Sequence, residues 1–306
     1  MSAYDVVCHS SDPQWLEERK KGVTASEIGH LLSGKSAMQL WAEKTGRMER
    51  DNLDGNDRVW WGSKLEKIIL EGYSDERYSG RPTEPSGFLL RSKKHPWLLA
   101  TLDAWTEHPT WGRIPVDAKN TATDQERKWE DGTPANYFWQ IQTQATVCGT
   151  PGSSICAFLG GNNLVWADEE RHDAHTKQIL STGEMFWWCL KNDVPPSEVD
   201  GLASTRQALD AIYPTVSPDK VVHLTEDWAM TADAELENLK AELKAHRAIG
   251  REIETKESEL KNRIKRAMGD AELARLPNGS AYIRKVITRA VYTATPKPYS
   301  TLKRAK

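Results

Sequence analysis

The chain has 306 residues, of which 38% are hydrophobic and 28% charged, with a formal net charge of −3. That length can bury a substantial core. No apolar run approaches the ~20 residues that span a bilayer, which excludes a membrane anchor. The near-neutral charge also means that any nucleic-acid contact must come from local basic patches. Residues 1–10 lack the basic start and apolar core of a secretory signal, so a cytoplasmic product is expected. Cys8, Cys148, Cys156 and Cys189 have no CxxC spacing and give little support to a zinc ribbon or a disulfide framework. The thirteen tryptophans read first as packing residues, with base stacking by one or two of them an alternative.

In chain order, Ser11-Asp12-Pro13 predicts a capped helix through Trp15 and Leu16 toward Lys20. Thr24 to Glu27 has capping-box spacing and opens a second helix that Gly34 stops. A third follows Ser36 and ends at Gly46. Trp61, Leu65, Ile68, Ile69 and Tyr73 recur at helical spacing, which predicts an amphipathic helix from about Val59 to Tyr78. Strand signals follow at Gly87–Arg91, Trp97–Asp103 and Arg113–Lys119, read as an antiparallel meander. A helix over Asn136–Val147, strands at Ser154–Leu159 and Asn163–Ala167 joined by Gly160-Gly161, and a helix over Asp173–Lys191 complete the pattern. The order predicts an α/β core, a mixed central sheet flanked by helices.

The last hundred residues differ. From Leu236 apolar residues recur near heptad spacing, interrupted by His246, Gly250 and Glu257, which favours a helical hairpin bent near Gly250. Beyond Glu272 no acidic residue occurs, and alternation over Ala281–Tyr292 reads as strands before a basic tail that looks disordered at its end. The expected division is 1–205 as the core and 206–306 as a helical hairpin with a small β extension and the tail. DNA-backbone binding and a solvated end are both open for that tail.

The chemistry concentrates in Leu102-Asp103-Ala104 and Val116-Asp117-Ala118-Lys119. Strand period two puts Asp117 and Lys119 on one face, with Val116 and Ala118 turned to the core. A turn between Glu107 and Gly112 would lay the preceding strand alongside and bring Asp103 next to Asp117. Two clustered carboxylates repel unless a cation compensates, and hard oxygen ligands suit Mg²⁺ or Mn²⁺. A metal so held could polarise a phosphate and lower the pKa of a bound water, with Lys119 positioning that water or steadying the developing charge. By itself a D-x-K tripeptide is weak evidence, since Asp and Lys pairs are common on solvated strands.

Several ordered segments, however, resemble one family. Arg19 with Gly22 to Glu27, Trp61 to Glu66, Thr101-Leu102-Asp103, Val116 to Lys119 and Tyr137 to Gln144 are similar to the successive motifs of the YqaJ-like, lambda-type phage exonucleases, within the PD-(D/E)xK nuclease superfamily. The resemblance implies a restriction-endonuclease-like core. It implies metal ligation by Asp103, Asp117 and the Ala118 carbonyl, with Glu66 completing the site through a second metal or a water. It makes Lys119 the catalytic lysine and has Gln140 orient water or substrate. Arg19, Ser26 and Thr101 match positions that hold the 5′-phosphate of a DNA end, a role that suits the planar arginine fork. Asp117 stands where many members have Glu, Thr101 where Ser is common and Ala104 where Gly is common, which affects fine geometry more than chemistry.

The resemblance further implies a phage-encoded, Mg²⁺-dependent 5′-to-3′ exonuclease on linear duplex DNA in a bacterial host cell. It would leave 3′ single strands for a single-strand annealing partner and form a homo-oligomeric ring, a trimer favoured. Two rivals remain open at this point: an endonuclease or single-strand nuclease of the same superfamily, and a non-catalytic DNA-end-binding recombination protein. The cysteine spacing does not match the cluster that iron–sulfur members need. Each assigned side chain also has an ordinary reading: Glu66 as an exposed helix carboxylate, Gln142 and Gln144 as the polar side of a helix, Arg19 within the solvated trio Arg19-Lys20-Lys21.

Overall fold

A computed structural model describes residues 2–49, 55–75, 77–215, 220–224 and 227–283. Two compact units divide the chain, 1–215 and 216–306. In the first, Tyr4–His9 (β1), Trp15–Lys20 (α1), Val23–Thr24 (β2), Ala25–Leu32 (α2), Ala37–Lys44 (α3) and Asp57–Ser74 (α4) precede Thr83–Pro85 (β3), Phe88–Ser92 (β4), Leu98–Thr101 (β5), Ala104–His108 (β6) and Gly112–Thr121 (β7). A 3₁₀ segment, Thr123–Trp129, then leads to Ala135–Cys148 (α5), Gly152–Leu159 (β8), Asn163–Glu170 (β9), Asp173–Lys191 (α6) and Ala203–Ile212 (α7).

Five strands form a mixed sheet in the order β3-β6-β7-β8-β9, with β7 and β8 parallel and the other neighbours antiparallel. Four more form a second sheet, β1-β4-β5-β2. The parallel pair needs a crossover, and α5 supplies it. Helix α4 packs Ile69, Leu70 and Tyr73 against Ala104, Val116 and Cys156 of the larger sheet. The main core lies elsewhere, where Ile28, Trp41, Leu98, Leu102, Ile179 and Phe186 meet. This is the mixed sheet flanked by helices that the element order predicts.

Local chemistry explains most boundaries. The Thr24 side chain accepts from the Glu27 amide while Glu27 accepts from the Thr24 amide, so the expected capping box opens α2. Ser36 caps α3 and Asn56 caps α4 in the same way. Gly29 is buried in α2 because a Cβ there would lie 2.3 Å from the Asn136 carbonyl, so α2 and α5 approach backbone to backbone.

Several expectations are corrected. The first helix begins at Trp15, with Asp12 accepting from the Gln14 amide ahead of it. In α4 Trp61 and Ile68 are exposed, so the inward face is rotated toward Ile69, Leu70 and Tyr73, and the helix ends at Ser74. The strand expected over 97–103 is the shorter β5, and a further strand that was not anticipated, β6, follows it. β5 pairs with β4 in one sheet, β6 pairs with β7 in the other, and the chain changes sheets at Leu102-Asp103. Strands β1 and β3 had no legible signal. A bulge between Val6 and Cys8 breaks the alternation of β1, and β3 is three residues ending in proline. Helix α7 was also missed. It packs on α3, with Thr205 Oγ1 donating to Ser36 Oγ at 2.6 Å.

In the second unit Asp227–Met268 is one uninterrupted helix of 42 residues (α8), not a hairpin bent near Gly250. A single glycine costs a helix only ~1 kcal/mol and does not by itself break it. Leu273–Arg275 (β10) and Ala281–Ile283 (β11) then form a two-stranded antiparallel ribbon, the expected small β extension. The strand signal beyond Ile283 and the basic tail fall outside the described residues.

Candidate active site

The break between β5 and β6 creates the site. Asp103 sits at the point where the chain leaves one sheet for the other, immediately before β6, whose first residue Ala104 pairs with Val116. That register puts Asp103 beside the middle of β7. Its Oδ2 accepts from the Ala118 amide at 2.8 Å. Along β7, Val116 joins the core under α4 while Asp117 faces the other way, as period two requires.

Asp117 is 1% exposed and held from two sides. Gln140 and Gln144, one turn apart on α5, both donate through Nε2 to its Oδ1, at 2.7 and 2.9 Å. Lys119 Nζ pairs with Oδ2. Gln144 also donates to the Thr101 carbonyl at 3.2 Å, which ties the carboxylate to the end of β5. Lys119 lies 5.4 Å from the centre of the Tyr137 ring, a further contact from α5.

These charges perturb one another. Burial, then the neighbouring Asp117, push the Asp103 carboxyl up to about 8, with Lys119 and the Ala118 amide opposing. Glu66 is also raised, by burial first and by Asp117, with Lys119 opposing. Burial pulls Lys119 down, but Asp117 and Asp103 outweigh it and hold the ammonium above the ordinary lysine range. The site therefore keeps one firmly cationic lysine among carboxyls that are reluctant to ionise together.

A cleft of about 500 Å³ opens over this group and is lined by eight of the nine residues assigned from sequence: Glu66, Asp103, Asp117, Lys119, Gln140, Arg19, Ser26 and Thr101. Ala118 contributes its amide to Asp103 and does not line the cleft. Arg19 donates to Ser26 Oγ at 3.3 Å and its guanidinium lies 4.5 Å from the Trp15 ring centre. Behind it the Lys44–Glu27 ion pair, at 2.9 Å and almost fully buried, ties α3 to the start of α2, and Lys44 also donates to the Arg19 carbonyl at 3.2 Å.

The three carboxylates do not form a closed cage. Among the described residues no group of three or more His, Cys, Asp or Glu side chains is disposed to hold a metal ion. The physical reason is local: Lys119 takes one oxygen of Asp117, the glutamines take the other, and Asp103 turns an oxygen to a backbone amide. The donor chemistry still fits a hard divalent cation. Two crowded aspartates, one pushed up to about 8, are the arrangement whose repulsion such an ion relieves.

Sequence reasoning undervalued Gln144, which is fully buried and bonded to Asp117. Its spacing of four from Gln140 was the available signal, since i and i+4 share a helix face. Trp15, Ser63 and Val59 also line the cleft without having been assigned. The four cysteines are free thiols, Cys8 half-buried and the others buried. No helix among the described residues is long and apolar enough to cross a membrane.

Residues 14–151 match the family model for the YqaJ-like viral recombinase domain, which bears out the resemblance read from the motifs. The chain is 26% identical over 291 residues to the uncharacterized protein YqaJ of Bacillus subtilis (strain 168), covering 92% of this chain and 86% of that protein. Among solved structures, an alkaline exonuclease from Laribacter hongkongensis superposes with a TM-score of 0.49 at 19% identity, over 60% of this chain and 94% of that one. A phage-related exonuclease from Haemophilus somnus 129PT superposes with a TM-score of 0.40 at 11% identity, over 56% of this chain and 96% of that one.

Proposed function

From the premise that residues 14–151 carry a YqaJ-like viral recombinase domain, we propose that the protein is a Mg²⁺-dependent exonuclease. It degrades linear duplex DNA from the 5′ end and leaves 3′ single strands for an annealing protein. The observation that carries this reading is one cleft lined by an acidic pair, a charged lysine and Arg19, Ser26 and Thr101 together.

Asp103 and Asp117 would hold the ion, with Glu66 completing the set from α4 through a water or a second ion. Bound there, a divalent cation supplies Lewis acidity toward a phosphate oxygen and lowers the pKa of a coordinated water. The protein's own groups do the rest. Gln140 and Gln144 fix the plane of the Asp117 carboxylate, so the ligand oxygens are set before substrate arrives. Lys119, firmly cationic, steadies the negative charge that builds on the phosphorus oxygens and orients the attacking water. Arg19 and the Ser26 and Thr101 hydroxyls offer charge-assisted and neutral hydrogen bonds to a terminal phosphate. Holding that end at a fixed distance from Lys119 makes cleavage depend on an end.

As in related enzymes of this kind, a homo-oligomeric ring, with a trimer favoured, would keep the duplex enclosed, and the work would be done in the bacterial cytoplasm. The test is digestion of 5′-phosphorylated, end-labelled linear duplex with Mg²⁺. Release of 5′ nucleotides that stops in excess EDTA, with a covalently closed circle left intact, is the expected result. Cleavage of the closed circle would favour the endonuclease rival. Binding to duplex ends without any hydrolysis in Mg²⁺ or Mn²⁺ would favour the non-catalytic one.

A further inference from the structure

Helix α8 carries an apolar stripe that stays in water among the described residues. Leu239 is 58% exposed, Leu243 50%, Ile253 62% and Leu260 57%. A helix of 42 residues is ~63 Å long and cannot bury such a stripe against itself. We propose that its occupant is a second copy of α8, laid antiparallel in one register, with residue 243 of one helix facing residue 260 of the other. This inference does not depend on the nuclease reading.

The argument lies in the interruptions. With Leu236 and Leu243 at heptad a positions and Leu239 and Leu260 at d, the seam also contains His246, Gly250 and Glu257. A parallel pair would set each against its own copy: glutamate on glutamate, and glycine on glycine with a hole between. Like charges and voids at a seam are both destabilising. In an antiparallel pair a positions meet d positions, and in the register stated every interruption finds a complement. His246 faces the second copy's Glu257, and Gly250 faces the second copy's Ile253, a large residue over a small one. Leu243 meets Leu260 and Leu239 meets Ile264, giving apolar layers at both ends of the paired stretch. The His246–Glu257 layer, made twice by symmetry, specifies register.

Charges flanking the seam agree. The register brings Arg247 beside the second copy's Glu254 and Glu242 beside its Arg263, each contact made twice by symmetry. Its like-charged contact, Lys240 with Lys261, joins two lysines already paired along their own helices, to Glu237 at 2.8 Å and to Glu257 at 2.6 Å. The parallel arrangement would also bring Glu242 beside Arg247 while opposing Lys256 and Lys261, so the flanking charges are compatible with the antiparallel register and the seam residues select it.

The test uses the full chain. Leu243→Cys and Leu260→Cys proteins are prepared separately, equilibrated alone or mixed, and oxidised, with the wild type as the control for its own thiols. The proposal expects a disulfide-linked dimer above the wild-type background only in the mixture. Cross-linking of Leu243→Cys with itself, or of neither protein in any combination, overturns it.

Discussion

The two units solve the problem of polar groups in opposite ways. In the first, Asp117, Gln144 and the Lys44–Glu27 pair are buried and held by hydrogen bonds and ion pairs that reach across distant segments. In the second, α8 keeps its charges in water, pairs them with neighbours one turn along, and leaves its leucines exposed. The lesson is that the first unit specifies itself, because a buried charge without its partner costs several kcal/mol. The second is specified by what docks on it.

The comparison is broken most severely at Asp117. Asp117→Asn keeps the shape and the acceptor for the glutamines but removes the charge. Nucleotide release from linear duplex at saturating substrate should fall by at least ~10²–10³-fold, the scale on which single preorganised electrostatic groups act. Thermal melting should fall as well, because Lys119 loses its partner, so release is compared below the melting transition, where a retained helical signal separates chemistry from folding.

Next comes Glu27→Ala, which removes both the buried partner of Lys44 and half of the capping box. Breaking a buried pair in this way costs about 3–5 kcal/mol. Denaturant unfolding of the first unit should show that loss, while the α8 helix signal is unaffected.

A smaller effect sharpens the role of Asp103. Its carboxyl titrates near 3.9 when unfolded but at about 8 when folded, so between these values the folded state binds the extra proton. Stability of the metal-free protein should be fully present at low pH and decline as pH rises through that window. Added Mg²⁺ should restore it at pH 8. Asp103→Asn should flatten the profile and raise the metal-free melting temperature at pH 8. An unchanged pH profile in that variant would mean that Asp103 is not the group responsible.

The smallest effect belongs to the second unit. Ser258 lies exposed on α8 and outside the apolar stripe, so Ser258→Ala should stabilise α8 by up to ~0.5 kcal/mol through helix propensity and leave nuclease activity unchanged. Thermal loss of the helical signal measures it.

Much of the fold was legible where the signal is local. The capping box at Thr24, the Ser36 cap and the exact span of Asp173–Lys191 follow from residues within a turn or two of each other. Asp117 and Lys119 share a face because a strand has period two. What failed was decided elsewhere. Nothing near 97–103 announces that the chain leaves one sheet there and starts β6 in the other, since that choice depends on β4 pairing with β5 and β7 pairing with β6. Gln144 reads as one polar residue among three until α5 is laid across β7.

The sequence by itself determined the residue types, their order and the short-range geometry that puts an aspartate and a lysine on one strand face. Only tertiary structure decided that α5 would supply two amides to one carboxylate and that Arg19 and Ser26 would line the same cleft. Hydrogen bonds and ion pairs between distant segments form only after loop closure has been offset by burial of the surrounding core, and no local pattern encodes that balance.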